Sequence, residues 1–241
     1  MRKVFIADAH LRSENDKNYR FLLDFLATLP GNTDALFILG DLFEFWIGYP
    51  DIPFRHYLTM LEELRRLREK GIKIVYFEGN HDFHMGPFFE TTLDATIYSA
   101  PAVLEIDGRR VYLCHGDLIN RADYSHRVFR FFLHNRFTAG VIPMVPPVVA
   151  SYIAERLGKA SRENHDMRRD KWDYPSILRK FAAERFREGC DAVIVGHFHL
   201  PLIEKTTNIT TQTLISLGDW ITHFTYGEWD EGEFSLRQYI P

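Results

Sequence analysis

The sequence predicts a layered α/β fold, and three observations carry the prediction. Short apolar runs alternate with amphipathic helical segments as far as residue 77. Five apolar runs close on Asp, Asn or His, usually beside Gly. Strand-like runs then resume after a long helical middle, as expected of an insertion between two strands of one scaffold.

Residues 3–7 are the first run, Lys3-Val4-Phe5-Ile6-Ala7. Phe21, Leu22, Phe25, Leu26 and Leu29 follow at helical spacing, and Pro30-Gly31-Asn32 ends that helix. The second strand is 35–39. From Phe54 to Lys70, Tyr57, Leu58, Leu61, Leu64 and Leu67 share one face with Glu and Arg opposite, and Gly71 closes the helix. The third strand is 72–77. Residues 96–98, 102–106 and 110–114 read as strands, the last two joined by an Asp107-Gly108 hairpin turn. Residues 120–188 hold no convincing strand. Within them 124–137 is helical, 138–153 is uncharged but broken by Pro143, Pro146 and Pro147, 161–171 is densely charged, and 176–188 is an amphipathic helix. Strands return at 191–195, 212–217 and 233–239. One domain over 1–241 with a helical insertion at 120–188 accounts for this order.

At 241 residues and 46% hydrophobic, the chain can build its own core. A net charge of -4 carries no global basic signal, so no nucleic acid polymer is expected as a partner. Cys114 and Cys190 lie in or beside apolar runs and read as reduced core residues. Lys3 already enters the first strand, so no signal peptide is expected. No Pro-free apolar run reaches the ~18 residues of a membrane span. The expected location is the cytosol, free or at a membrane surface. Aromatic residues make up 15% of the chain and concentrate at 43–46, 83–89 and 128–137. That fits a substrate with an apolar part, or simply an aromatic-rich core.

The five strand ends are Asp8-Ala9-His10, Gly40-Asp41, Gly79-Asn80-His81-Asp82, His115-Gly116-Asp117 and Gly196-His197-Phe198-His199. Open α/β sheets bind ligands at the carboxyl ends of their strands, so these residues are expected to share one site. Their oxygen and nitrogen donors suit Mn²⁺, Fe²⁺ or Zn²⁺. Residues two apart on an extended strand point to opposite faces, so Asp8 with His10, and His197 with His199, must sit in turns past the strand ends. One histidine of the latter pair for each of two metals, with Asp41 bridging, is the natural division. Such a pair of ions can activate water and clamp a phosphoryl group.

This ordered series resembles the calcineurin-like metallophosphoesterases, with all five blocks of that family present between residues 8 and 199. The resemblance implies a four-layer αββα sandwich with a helical lid. It implies two divalent ions, Mn²⁺ the expected one. Asp8, His10, Asp41 and His199 would hold one, and Asp41, Asn80, His115 and His197 the other. His81 would stabilise the phosphoryl transition state or protonate the leaving oxygen, and Asp82 would orient His81.

The longer stretch Gly40-Asp41-Leu42-Phe43-Glu44-Phe45-Trp46-Ile47-Gly48 and the helical insertion after Asp117 are similar to one branch of the family. That branch cleaves an acylated UDP-sugar, UDP-2,3-diacylglucosamine, to UMP and a lipid 1-phosphate in lipid A synthesis. The resemblance implies a peripheral position on the cytoplasmic face of the inner membrane and points to no protein partner. It also implies substrate binding by Asn80, His81 and His197, and by Asp123, Ser161, Asn164 and Arg168 of the lid. Phe129, Phe132, Leu133 and Phe137 lie on one helical face, suited to acyl chains or to packing on the body. Arg127, Arg130 and Arg136 suit headgroups or phosphate, or form a solvated face. His81 is the residue of the wider family where this branch carries Arg. The alternatives are a related cytosolic enzyme for another nucleotide-linked or lipid phosphoester, and a non-catalytic scaffold of the same fold.

Overall fold

The structure is a computed structural model; it describes residues 2–49, 54–135, 138, 140, 144–146, 149, 171–207 and 211–240. Two sheets are stacked face to face. The first runs β13(Glu233–Gln238)-β12(Thr225–Asp230)-β1(Arg2–Ile6)-β2(Thr33–Ile38)-β4(Lys73–Phe77)-β6(Thr96–Tyr98). The second runs β10(Pro201–Thr207)-β11(Thr211–Leu217)-β9(Ala192–Val195)-β8(Arg109–Cys114)-β7(Ala102–Ile106). A two-stranded ribbon, β3(Trp46–Ile47) with β5(Asp82–Phe83), joins two of the strand-end loops.

Three apolar clusters mark the interfaces of a four-layer sandwich. Helices α1(Lys17–Ala27) and α2(Leu58–Glu69) set Leu22, Leu26, Leu61 and Leu64 against Val4, Ile6, Leu36 and Ile38 on the outer face of the first sheet. Phe5, Phe37, Leu113, Ile194 and Ile215 fill the space between the sheets. On the outer face of the second sheet, Val193 and Val195 meet Leu178 and Ala182 of α4(Tyr174–Arg187). Strand residues thus alternate between two apolar surroundings, which is why they read as continuous apolar runs.

Helix α4 falls inside 120–188, the range expected to be lid, yet it is a layer of the sandwich. Leu178 and Ala182 stand one turn apart and are both buried against the sheet. Helix α3(Tyr124–Leu133) lies in the insertion, its Leu133 packed against the first cluster and its Tyr124, Phe131 and Phe132 exposed. Four strands lie outside the runs expected from the sequence: β3, β5, β10 and β12. Strand β10 opens on Pro201 at a sheet edge, where a missing donor is tolerated. Strand β12 buries Glu228, whose carboxylate pairs with Arg2 and Arg237. Both cysteines are buried and reduced. No helix among the described residues is long and apolar enough to cross a membrane.

Candidate active site

Strands β1, β2 and β4 are parallel in one sheet, and β8, β9 and β11 are parallel in the other. Their carboxyl ends therefore open on one edge of the sandwich. Asp8, His10, Asp41, His197 and His199 all have left-handed backbone there, with φ of 56°, 45°, 53°, 70° and 49°. This region is uncommon for residues with a Cβ, although Asp and His visit it more than most. It turns Asp8 and His10, and likewise His197 and His199, to one side despite their spacing of two.

Two glycines make room for the crowding. A Cβ on Gly40, which has φ +81°, would fall 2.6 Å from Nδ1 of His115. One on Gly79 would fall 2.2 Å from Oδ1 of Asp41. The loops after β1 and β2 are also laced together, His10 N–H donating to Asp41 O at 3.0 Å and Leu11 N–H to Leu42 O at 3.0 Å.

The donor atoms gather in three groups: Asp8, His10 and His199; Asp41, His115 and His197; and His10, Glu44 and His81, the first and last sharing His10. Asp41 faces two of them. Its Oδ2 lies 3.7 Å from His10 Nε2 and 3.4 Å from His115 Nε2, while its Oδ1 accepts from His81 N–H at 2.9 Å. Asn80 Oδ1 is 3.0 Å from His115 Nε2. All seven residues expected as metal ligands are thus brought together.

The chemistry of this set fits a cation. Nδ1 of His115 lies 2.8 Å from the carbonyl of Leu39, which can only accept, so that nitrogen carries the proton. Nε2 then faces the oxygens of Asp41 and Asn80, and only a proton or a cation can sit between these three atoms. Burial would lower the His115 pKa, yet the Asp41 carboxylate raises it to about 10: a positive charge belongs there. Burial would raise Asp41, but His115, His81 and His10 hold it well below the usual carboxylate range. Oδ1 of Asp8 and Nε2 of His10 are both buried and have no hydrogen-bond partner. Bound divalent cations would satisfy these atoms.

His81 stands beside the donors, its Nδ1 2.8 Å from Glu44 O, which leaves Nε2 as the nitrogen available to a ligand. Asp82 acts differently from the expectation that it orients His81. It is fully buried, and its oxygens accept from the N–H groups of Asp41, Leu42, Phe43 and Gly79 and from the Tyr76 hydroxyl. Five donors leave it no lone pair for the ring of His81; it braces the Asp41 loop instead.

Two residues escaped the sequence reading. Asp219 follows β11 as Gly218-Asp219, a sixth strand end of the same kind, and its Oδ2 lies 3.7 Å from His199 Nδ1 and 2.7 Å from His223 Nδ1. Glu44 places Oε2 3.5 Å from His10 Nδ1. Each carboxylate holds the far nitrogen of a candidate ligand, the usual partner of a metal-bound histidine. The Gly before Asp219 was the available signal.

In the insertion, Arg130 is largely buried and pairs with buried Asp117, which ties α3 to the strand end and excludes the solvated face for this residue. Arg127 is exposed and reaches Arg121 O at 3.3 Å. Asp123 stands immediately before α3. Ser161, Asn164, Arg168, Arg136, Phe137 and the side chain of Phe129 lie outside the described residues.

Comparison with known proteins agrees with this geometry. Residues 1–201 match the family model described as calcineurin-like phosphoesterase. UDP-2,3-diacylglucosamine hydrolase of Pseudomonas savastanoi pv. phaseolicola is 31% identical over 245 residues, covering 98% of this chain and 95% of the relative. The enzymes of that name from Aeromonas salmonicida and Shigella dysenteriae serotype 1 are 31% and 34% identical, covering 99% and 92% of this chain and 93% and 92% of their own lengths. With its strand-end donors in place and the family model spanning most of its length, the chain belongs to the calcineurin-like phosphoesterases, a family of metal-dependent hydrolases.

Proposed function

We propose that this protein hydrolyses UDP-2,3-diacylglucosamine at the α-phosphorus, giving UMP and 2,3-diacylglucosamine 1-phosphate. The observation that carries the reading is near full-length similarity to hydrolases of that substrate, joined to a complete donor set around Asp41. Asp8, His10, Asp41 and His199 would hold one divalent cation, and Asp41, Asn80, His115 and His197 a second, Mn²⁺ being the expected ion. Such a pair supplies an activated water and neutralises charge on the phosphoryl oxygens.

The protein's own residues do the rest. His81, with Nδ1 fixed on Glu44 O, offers Nε2 to the phosphate or the leaving oxygen. Asp82 and Tyr76 keep the Asp41 loop in its strained form. Helix α3 turns Tyr124, Val128, Phe131 and Phe132 outward at 72%, 56%, 71% and 63% exposure, a surface suited to acyl chains. Asp123, Ser161, Asn164 and Arg168 are the lid residues proposed to read the sugar and phosphates. The same apolar surface would hold the protein at the cytoplasmic face of the membrane, where a diacylated substrate resides.

Hydrolysis in isotopically labelled water tests the reading. The label should enter UMP. Label in the sugar phosphate would move the attack to the other phosphorus, and no UMP release at all would overturn the substrate. His81 favours a second reading, a phosphoesterase of wider range, in which a simple phosphodiester turns over as fast as the acylated UDP-sugar.

A further inference from the structure

A cleft of about 450 Å³ opens beside the donor cluster at His115. It starts at His115 and Gly116 and runs between the loop after β6, the loop after β8 and one face of α4. Its volume lies in the range of small-molecule sites. Apart from His115, Asp117 and Arg130, its lining lies outside the metal donors and α3.

Its lining has a distinct chemistry. Tyr98 is stacked on Phe77, ring centroids 4.7 Å apart and 13° from parallel, so its ring is held in one plane. Tyr112 meets Phe181 edge-on at 5.5 Å, with the Arg185 guanidinium 5.4 Å from its ring. Arg121 and Lys180 stand exposed on opposite walls, and neither forms an ion pair among the described residues. Nε of Arg185 is buried and has no hydrogen-bond partner. The carboxylate of Glu184 on the same wall is 3.8 Å from Arg185, and that of Glu78 near the floor is 3.9 Å from His134.

Fixed aromatic rings with cations at the rim suit a planar, polar, anionic body. An acyl chain there would strip water from Arg121, Lys180 and Glu184 and return no hydrogen bond. The most exposed aromatic side chains, Tyr124, Phe131 and Phe132, lie elsewhere, on α3, while Leu118 is the one exposed large apolar side chain in the described cleft lining. A substrate with an acylated end and a nucleotide end would thus meet two unlike surfaces on either side of the reacting phosphate.

We propose that this cleft is a nucleoside site. The base lies among Tyr98, Tyr112 and Pro101, and Arg121 and Lys180 face the ribose phosphate as it leads to the donor cluster. The proposal deepens the nucleotide-linked substrate reading and rests on it for the phosphate's position.

The test is calorimetric titration of the Mn²⁺-supplemented protein with UMP and with ribose 5-phosphate, which shares the phosphate but lacks the base. UMP should bind about tenfold tighter or more, as base stacking on aromatic rings allows. Ala100→Trp and Pro101→Trp, which fill the cleft from exposed wall positions, should each remove most of that preference and change ribose 5-phosphate affinity less, whereas Lys180→Glu, facing the shared phosphate, should weaken both ligands together. A thermal melt checks folding, and either of Ala100→Trp and Pro101→Trp stands if the other misfolds. Equal affinity for the two ligands, or a UMP preference that survives Ala100→Trp and Pro101→Trp, overturns the proposal. Turnover of the acylated UDP-sugar is scored separately. A cleft-dependent UMP preference without that turnover supports the site and sinks only the substrate. Turnover with cleft-independent UMP binding sinks the site alone.

Discussion

Oδ1 of Asp82 accepts the backbone N–H of Asp41 at 2.8 Å, so one buried carboxylate holds the backbone that presents another. Asp82→Asn would turn an NH₂ group toward N–H donors. The expected result is a loss of about 1–3 kcal/mol of stability, the cost of unmatched buried donors. Turnover should fall with it, because the left-handed turn at Asp41 relaxes. Urea unfolding and a rate assay on one preparation check this; unchanged stability would mean that the loop needs no brace.

Asp219 is expected to act through His199. Asp219→Ala should weaken metal binding by ~10–100-fold, the usual effect of losing a ligand's outer partner. Titration with Mn²⁺ measures it directly. His223→Gln should do much less, because His223 is half-exposed and its ring pairs with Asp219 rather than with a candidate ligand. Equal losses in the two variants would contradict the assignment.

His81→Ala should lower kcat by ~10²–10⁴-fold, the range for removing a general acid, with metal content unchanged. His81→Gln should recover little, since an amide cannot donate and regain a proton. A wild-type rate in His81→Ala would leave the cations alone responsible for catalysis.

His134 carries a pH dependence. Burial, then the charge of Arg130, lowers its pKa from 6.5 to about 3. Between those values the unfolded chain holds the proton and the folded chain does not, so stability falls as pH drops from 6.5 toward 3. His134→Phe keeps a ring against Phe83, 4.5 Å away, and removes the titration. Its stability should be flatter over that window, read from denaturation midpoints. An unchanged slope would place the acid sensitivity in the carboxylates.

The donor set was legible because each ligand follows an apolar strand directly, and parallel strands carry their carboxyl ends to one edge. Asp8, Asp41, Asn80, His115 and His199 needed only the strands to be found. Asp219 was less legible, for its partner His199 belongs to a different strand end and no spacing links the two. The task of Asp82 was hidden for a similar reason: its partners are N–H groups about forty residues earlier, in a loop whose shape no local pattern reveals. Strand β12 escaped because its Thr-Tyr-Gly-Glu-Trp-Asp has no apolar run, and Glu228 inside it is buried only by virtue of Arg2 and Arg237. Helix α4 was found, but its place was not; amphipathicity says that a face is buried and not against what.

The most direct measurement is hydrolysis of UDP-2,3-diacylglucosamine with added Mn²⁺, beside UDP-N-acetylglucosamine and a simple nitrophenyl phosphodiester. The account predicts UMP release from the diacylated substrate, at least ~10²-fold faster than from the unacylated one, because only the former engages the apolar side chains of α3. Equal rates on all three, or turnover of the phosphodiester alone, would contradict it.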